Sequence, residues 1–115
     1  MKNSYTIFGR GFVGTNLVKY LKKRKHKVFL PIKGKYKFNK NLHNIIYCIG
    51  SDNWIKDPKR SYNANLGLVA KIIYNNKFSS FTLMSSTRLY LGNARNKTKE
   101  SNLIHINPNI RNYYF

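Results

Sequence analysis

Three glycines in six residues, Gly9-Arg10-Gly11-Phe12-Val13-Gly14, stand between a segment patterned as a strand and a segment patterned as a helix. No other feature limits the fold as strongly. Before the glycines, Ser4-Tyr5-Thr6-Ile7-Phe8 is mostly aromatic or β-branched, as a buried strand requires. After them, Phe12, Val13, Leu17, Val18 and Leu21 recur at helical spacing. The cluster Lys22-Lys23-Arg24-Lys25 falls where that helix should end, and cations there complement the helix dipole. Residues 27–32 read as a second strand whose end is marked by Pro31 and Gly34. Strand, glycine turn, helix and strand within about 30 residues form the βαβ unit of a parallel sheet.

The rest of the chain continues that alternation. Residues 33–43 are polar, basic and weakly patterned, with room for a short strand around Tyr36-Lys37-Phe38. Residues 44–49 form an apolar run closed by Gly50, which predicts a central strand. Residues 51–59, with Asp52, Trp54 and Pro58, read as a loop. Leu66, Val69, Ala70, Ile73 and Tyr74 mark a helix running to about Asn76. Residues 81–84 predict a further strand ending at Ser85-Ser86-Thr87. Residues 91–109 read as loop, with a helix expected from Asn109 or Ile110 just after Pro108. Without repeats, linkers or low-complexity tracts, residues 1–115 read as one domain.

Composition narrows the function classes. One cysteine, Cys48, excludes a disulfide framework, and three scattered histidines have no metal-ligand spacing. No apolar run approaches about 20 residues, so no membrane span or signal peptide is expected, and a reducing cytoplasm is the expected setting. Charge is the unusual feature: 22 Lys+Arg against 3 Asp+Glu give a formal +19. A dense cationic surface binds polyphosphate by releasing counterions, so non-specific nucleic-acid binding is one reading. The basic residues, however, are dispersed, and lysine greatly outnumbers arginine beside abundant Asn, Ile and Tyr. That pattern reads as compositional bias, which speaks to solubility and weak sticking rather than to fold.

The glycine turn carries a sharper chemistry. Gly9 lets the chain turn tightly, Gly11 lets backbone approach a diphosphate, and Gly14 lets helix and sheet pack closely. The helix start then offers free N–H groups and a partial positive charge to the phosphates. A dinucleotide-binding strand of this kind is usually followed, about 20 residues on, by an acid for the ribose hydroxyls. Here the first acid is Asp52, and Lys33 and Lys35 occupy that region. A cation there suits the additional phosphate of NADP, and two solvated lysines would look the same, so both NAD and NADP stay open.

Gly9-Arg10-Gly11-Phe12-Val13-Gly14, then Ile46-Tyr47-Cys48-Ile49-Gly50, then Ser85-Ser86-Thr87-Arg88-Leu89-Tyr90-Leu91-Gly92 together resemble the NAD-dependent epimerase/dehydratase family, the extended short-chain dehydrogenase/reductases. The resemblance implies an α/β fold: a Rossmann-like three-layer sandwich with a parallel sheet, incomplete at its C-terminus. It implies NAD or NADP as cofactor and a nucleotide sugar as the full-length substrate. Carried over by position, the proton-handling set falls on Ser86, with Thr87 beside it, and on Tyr114, with Tyr113 as the alternative. The lysine expected four residues after the tyrosine would lie beyond Phe115. The cofactor-binding set falls on Gly9, Arg10, Gly11, Phe12, Val13 and Gly14, on Lys33, on Cys48, Ile49 and Gly50 at a strand end, and on Asn65. The segment between the second strand and Asn44 is shorter than that family's, which leaves its third strand and adenine pocket open.

The expectation is therefore an NAD(P)-binding fragment of an epimerase, dehydratase or reductase, inactive alone because the substrate domain is missing. Its partner would be the dinucleotide, with no specific nucleic acid and no membrane. The alternative is a small basic protein that binds nucleic acid non-specifically through its charge.

Overall fold

A computed structural model of the chain describes residues 1–51 and 55–84. Strand β1 (Ser4–Phe8) enters the glycine turn, helix α1 (Phe12–Lys23) leaves it, and β2 (Lys27–Phe29) and β3 (Asn44–Tyr47) follow. A helical run comes next: α2 (Pro58–Tyr62), a π-helical turn (Asn63–Gly67) and α3 (Leu68–Asn75), ending in β4 (Ser80–Leu83). The four strands form one sheet in the order β2-β1-β3-β4, and every pairing is parallel.

β1 is central because its side chains serve both faces. Ile7 packs against Val18 and Leu21 of α1, while Phe8 packs with Leu42, Ile45, Tyr47, Val69 and Ile72 on the opposite face. Alternation along one strand thus feeds two apolar layers, which is how a sheet covered by helices on both sides reads in sequence. The fold is α/β with three layers, Rossmann-like in strand order, as expected from the sequence. Thr6 is buried between these layers, and its hydroxyl donates to the Leu42 carbonyl at 2.7 Å, leaving no unmet polar group there.

Several boundaries differ from the sequence reading, each for a local reason. β2 is shorter than residues 27–32: Pro31 has no N–H to donate to a ladder, and the Leu30 and Pro31 carbonyls accept from the Arg10 guanidinium instead. Tyr36-Lys37-Phe38 forms no strand. The Asn76 amide stands in for a strand neighbour, accepting from Phe38 N–H at 2.9 Å and donating to the Tyr36 carbonyl at 2.7 Å. Tyr36 and Phe38 pack beside Phe8, so loop aromatics cover that face of the sheet. The helix begins at Pro58, not near Leu66, because Asp57 caps it through a 3.0 Å bond from Arg60 N–H and Pro58 suits the first turn.

The π-helical turn also rotates the buried face. Val69 and Ile72 point inward, whereas Leu66, Ile73 and Tyr74, expected on one apolar stripe, are exposed. One extra residue in the turn shifts the phase that a 3.6-residue period assumes. No helix among the described residues is long and apolar enough to cross a membrane.

The end of α1 is a Schellman closure: His26 N–H donates to the Leu21 carbonyl at 3.1 Å and Lys25 N–H to the Lys22 carbonyl at 2.9 Å. It needs a left-handed residue, and Lys25 supplies it at φ 62°. A side chain there costs about 1 kcal/mol relative to glycine. Lys25→Gly is therefore expected to raise the thermal midpoint by about 4 °C in a circular-dichroism melt. An unchanged or lower midpoint would mean that the left-handed residue is not strained.

Candidate functional site

α1 connects β1 to β2 on one side, whereas β3 lies on the other side of β1. Connections therefore diverge at the carboxyl ends of β1 and β3, the point where open α/β sheets leave a crevice. A cleft of about 440 Å³ opens there, within the range of small-molecule sites. Gly9, Arg10 and Gly11 form one wall, and Cys48, Ile49 and Gly50 another.

The three glycines differ in what requires them. Gly9 has φ 117°, and a Cβ on it would meet the Cys48 backbone carbonyl carbon at 2.8 Å. A Cβ on Gly14 would stand 2.0 Å from the Gly9 carbonyl oxygen. Both are demanded by the close contact of turn, helix and β3. Gly11 is different: its φ of −76° and ψ of −163° suit any residue, and nothing lies within 4 Å of a Cβ built there. Among the described residues, neither sterics nor dihedral angle calls for glycine at position 11.

Gly11 is also the N-cap of α1, with no side-chain cap and no acid in the first turn. The first N–H groups of a helix have no partner inside it, and here they follow directly on Gly11, which lines the cleft. An anion at that point meets aligned amides and the positive end of the helix dipole. The residues present therefore fit a diphosphate: backbone donors at a helix start, Arg10 and Arg60 among the lining cations, and no described atom within 4 Å of a Cβ built on Gly11.

Seven of the residues expected to bind a cofactor line this one cleft: Gly9, Arg10, Gly11, Lys33, Cys48, Ile49 and Gly50. Phe12 and Val13 are exposed at the helix start, and Gly14 is buried beneath the turn. Asn65 does not line the cleft. Its side chain accepts from Ser51 N–H at 3.3 Å and donates to the Ser51 carbonyl at 3.0 Å, fixing the loop that follows β3. Ser86, Thr87, Tyr113 and Tyr114 lie outside the described residues. Among the cleft residues that the sequence reading did not assign to the site are Arg60 and Asn63. Asp57-Pro58 is a cap followed by a first-turn proline, and it would have placed both on a helix.

Below the cleft, β3 ends in two residues held by burial. Burial pushes the Cys48 thiol up, which disfavours its thiolate form. The Tyr47 hydroxyl donates to the Ala64 carbonyl in the π-helical turn, and burial, followed by the nearby Tyr36, pushes its phenol up to about 12. Among the described residues no cluster of His, Cys, Asp and Glu is arranged to hold a metal. Comparison with family models, curated proteins and solved structures gives no match.

Two predictions follow from this geometry. Gly14→Ala should destabilise the chain by about 3 kcal/mol or more, whereas Gly11→Ser, which has space and is a better helix cap, should hold or raise stability. Urea unfolding checks the contrast, and equal losses at both positions would refute it. Because the folded Tyr47 pKa is raised, its contribution is complete below the unfolded value of about 10 and is lost as pH rises through about 12. The stability deficit of Tyr47→Phe should therefore be constant up to about pH 10 and shrink above it. A deficit unchanged at pH 12 would show that the phenol does not ionise with unfolding.

Proposed function

We propose that this chain binds NAD or NADP as the cofactor-binding portion of an enzyme of the epimerase/dehydratase type, one that works on nucleotide sugars. The observation that carries the binding step is Gly11, a glycine that nothing among the described residues requires, placed at an uncapped helix start that lines the cleft. An absent side chain there has a physical use when backbone must come within hydrogen-bond distance of a diphosphate. The chemistry that NAD(P) supplies in such enzymes is hydride transfer. The chain's own part is to hold the diphosphate on the α1 amides, with the Cys48-Ile49-Gly50 segment as the opposite wall. The enzyme type rests on the order of the glycine turn, the β3 end and the Ser85-Ser86-Thr87 run in the sequence.

The formal charge of +19 favours a second reading, non-specific binding of polyanions. The two differ in salt dependence and in their need for Gly11. Titration with NADH and NADPH at about 200 mM salt, read by nicotinamide fluorescence, should show saturable binding. Gly11→Leu should weaken it by about tenfold or more while leaving the circular-dichroism spectrum unchanged. Binding that collapses with salt, is matched by any polyanion and ignores Gly11→Leu would support charge alone.

A further inference from the structure

The end of β2 is where a dinucleotide site distinguishes a free ribose hydroxyl from a phosphorylated one, by an acid in the first case and a cation in the second. In this chain that place is built from cations. The Arg10 side chain reaches from the glycine turn to the end of β2. Its Nε donates to the Pro31 carbonyl at 3.4 Å, and one Nη donates to the Leu30 and Pro31 carbonyls at 3.2 and 3.3 Å. Lys33, two residues past Pro31, is exposed and lines the same cleft. Asp57 is the sole carboxylate among the described side chains, and it is engaged in capping α2.

The lengths of the Arg10 bonds matter. At 3.2–3.4 Å they lie at the long edge of hydrogen bonding, and their acceptors are neutral carbonyls. They orient the guanidinium without consuming its charge, and among the described residues nothing accepts from the other Nη. Charge-assisted bonds to a phosphate are shorter and roughly twice as strong, and a planar guanidinium can make two in parallel. The arrangement is thus an arginine held in position at the end of β2, with the exposed Lys33 lining the same cleft and, among the described residues, no acid lining it to repel a dianion.

Resting on the dinucleotide reading above, we infer that the cleft selects the 2′-phosphorylated cofactor, NADP, and that Arg10 and Lys33 bind its 2′-phosphate. Bulk positive charge alone would favour any more highly charged nucleotide, so the test must separate position from charge. The full chain is titrated with NADPH and NADH at about 200 mM salt, with 2′,5′-ADP and 3′,5′-ADP as competitors of equal charge. NADPH should bind about tenfold more tightly than NADH, and 2′,5′-ADP should compete well while 3′,5′-ADP competes poorly. Arg10→Ala should lower NADPH affinity several-fold more than it lowers NADH affinity. Lys33→Glu, an exposed loop substitution, should reduce or reverse the preference. Equal affinity for the two cofactors, or equal competition by the two bisphosphates, overturns the selectivity while leaving dinucleotide binding intact. An equal loss of both cofactors in Arg10→Ala would make the arginine a structural tie and also overturns it. Failure of both cofactors to bind removes this inference together with the reading beneath it.

Discussion

The contact on which the rest of the structure depends is between backbone and backbone. The turn after β1 lies so close to the start of α1 and to the end of β3 that two of its residues have no room for a side chain. A methyl at position 14 would fall 2.0 Å from the Gly9 carbonyl oxygen, well inside van der Waals contact. This closeness sets where α1 leaves the sheet, brings Val18 and Leu21 over Ile7, and places the helix start beside the cleft that Gly11 lines. Packing and binding geometry are two results of one constraint.

The opposite wall of the cleft depends on the helical run after β3. Tyr47 and Asn65 fasten the π-helical turn to the sheet from two directions, one through the Ala64 carbonyl and the other through the Ser51 backbone. A π-helical turn spends one residue out of phase, and here that residue count brings Asn63 and Arg60 to the cleft while Val69 and Ile72 stay in the core. Asn65 shapes the wall without belonging to it. Some of the chain's many lysines have comparable packing roles: Lys40 Nζ lies 3.4 Å from the centroid of Phe29, and Lys35 Nζ 5.2 Å from that of Phe38. Part of the basic charge therefore covers aromatic surface beside the short edge strand β2.

What was legible in the sequence was whatever local chemistry determines. Ser4–Phe8 was readable because four of five residues favour a pleated, buried surface, and the glycine turn because its spacing has one mechanical purpose. The extent of α1 was readable from its apolar spacing and terminal lysines. Features that depend on distant partners were not. β2 stops at Phe29 because Arg10, far along the chain, takes the next carbonyls. Tyr36-Lys37-Phe38 looks like a strand because its alternation is correct, yet its neighbour is a single amide on Asn76 rather than another strand. The buried face of α3 rests on Val69 and Ile72 rather than on Ile73 and Tyr74, and the π turn before it takes Leu66 out of phase with that face. For the site, glycine positions were legible and Arg60 was not, since its place follows from a helix start at Pro58.

The most direct measurement of the central claim is amide chemical-shift mapping of the full chain as the dinucleotide is added. If the helix start holds the diphosphate, the largest perturbations fall on Gly11, Phe12, Val13 and Gly14, with a second group at Ile49 and Gly50. Perturbations spread over the lysine-bearing segments 22–25 and 33–40, with none at the glycine turn, would contradict the account.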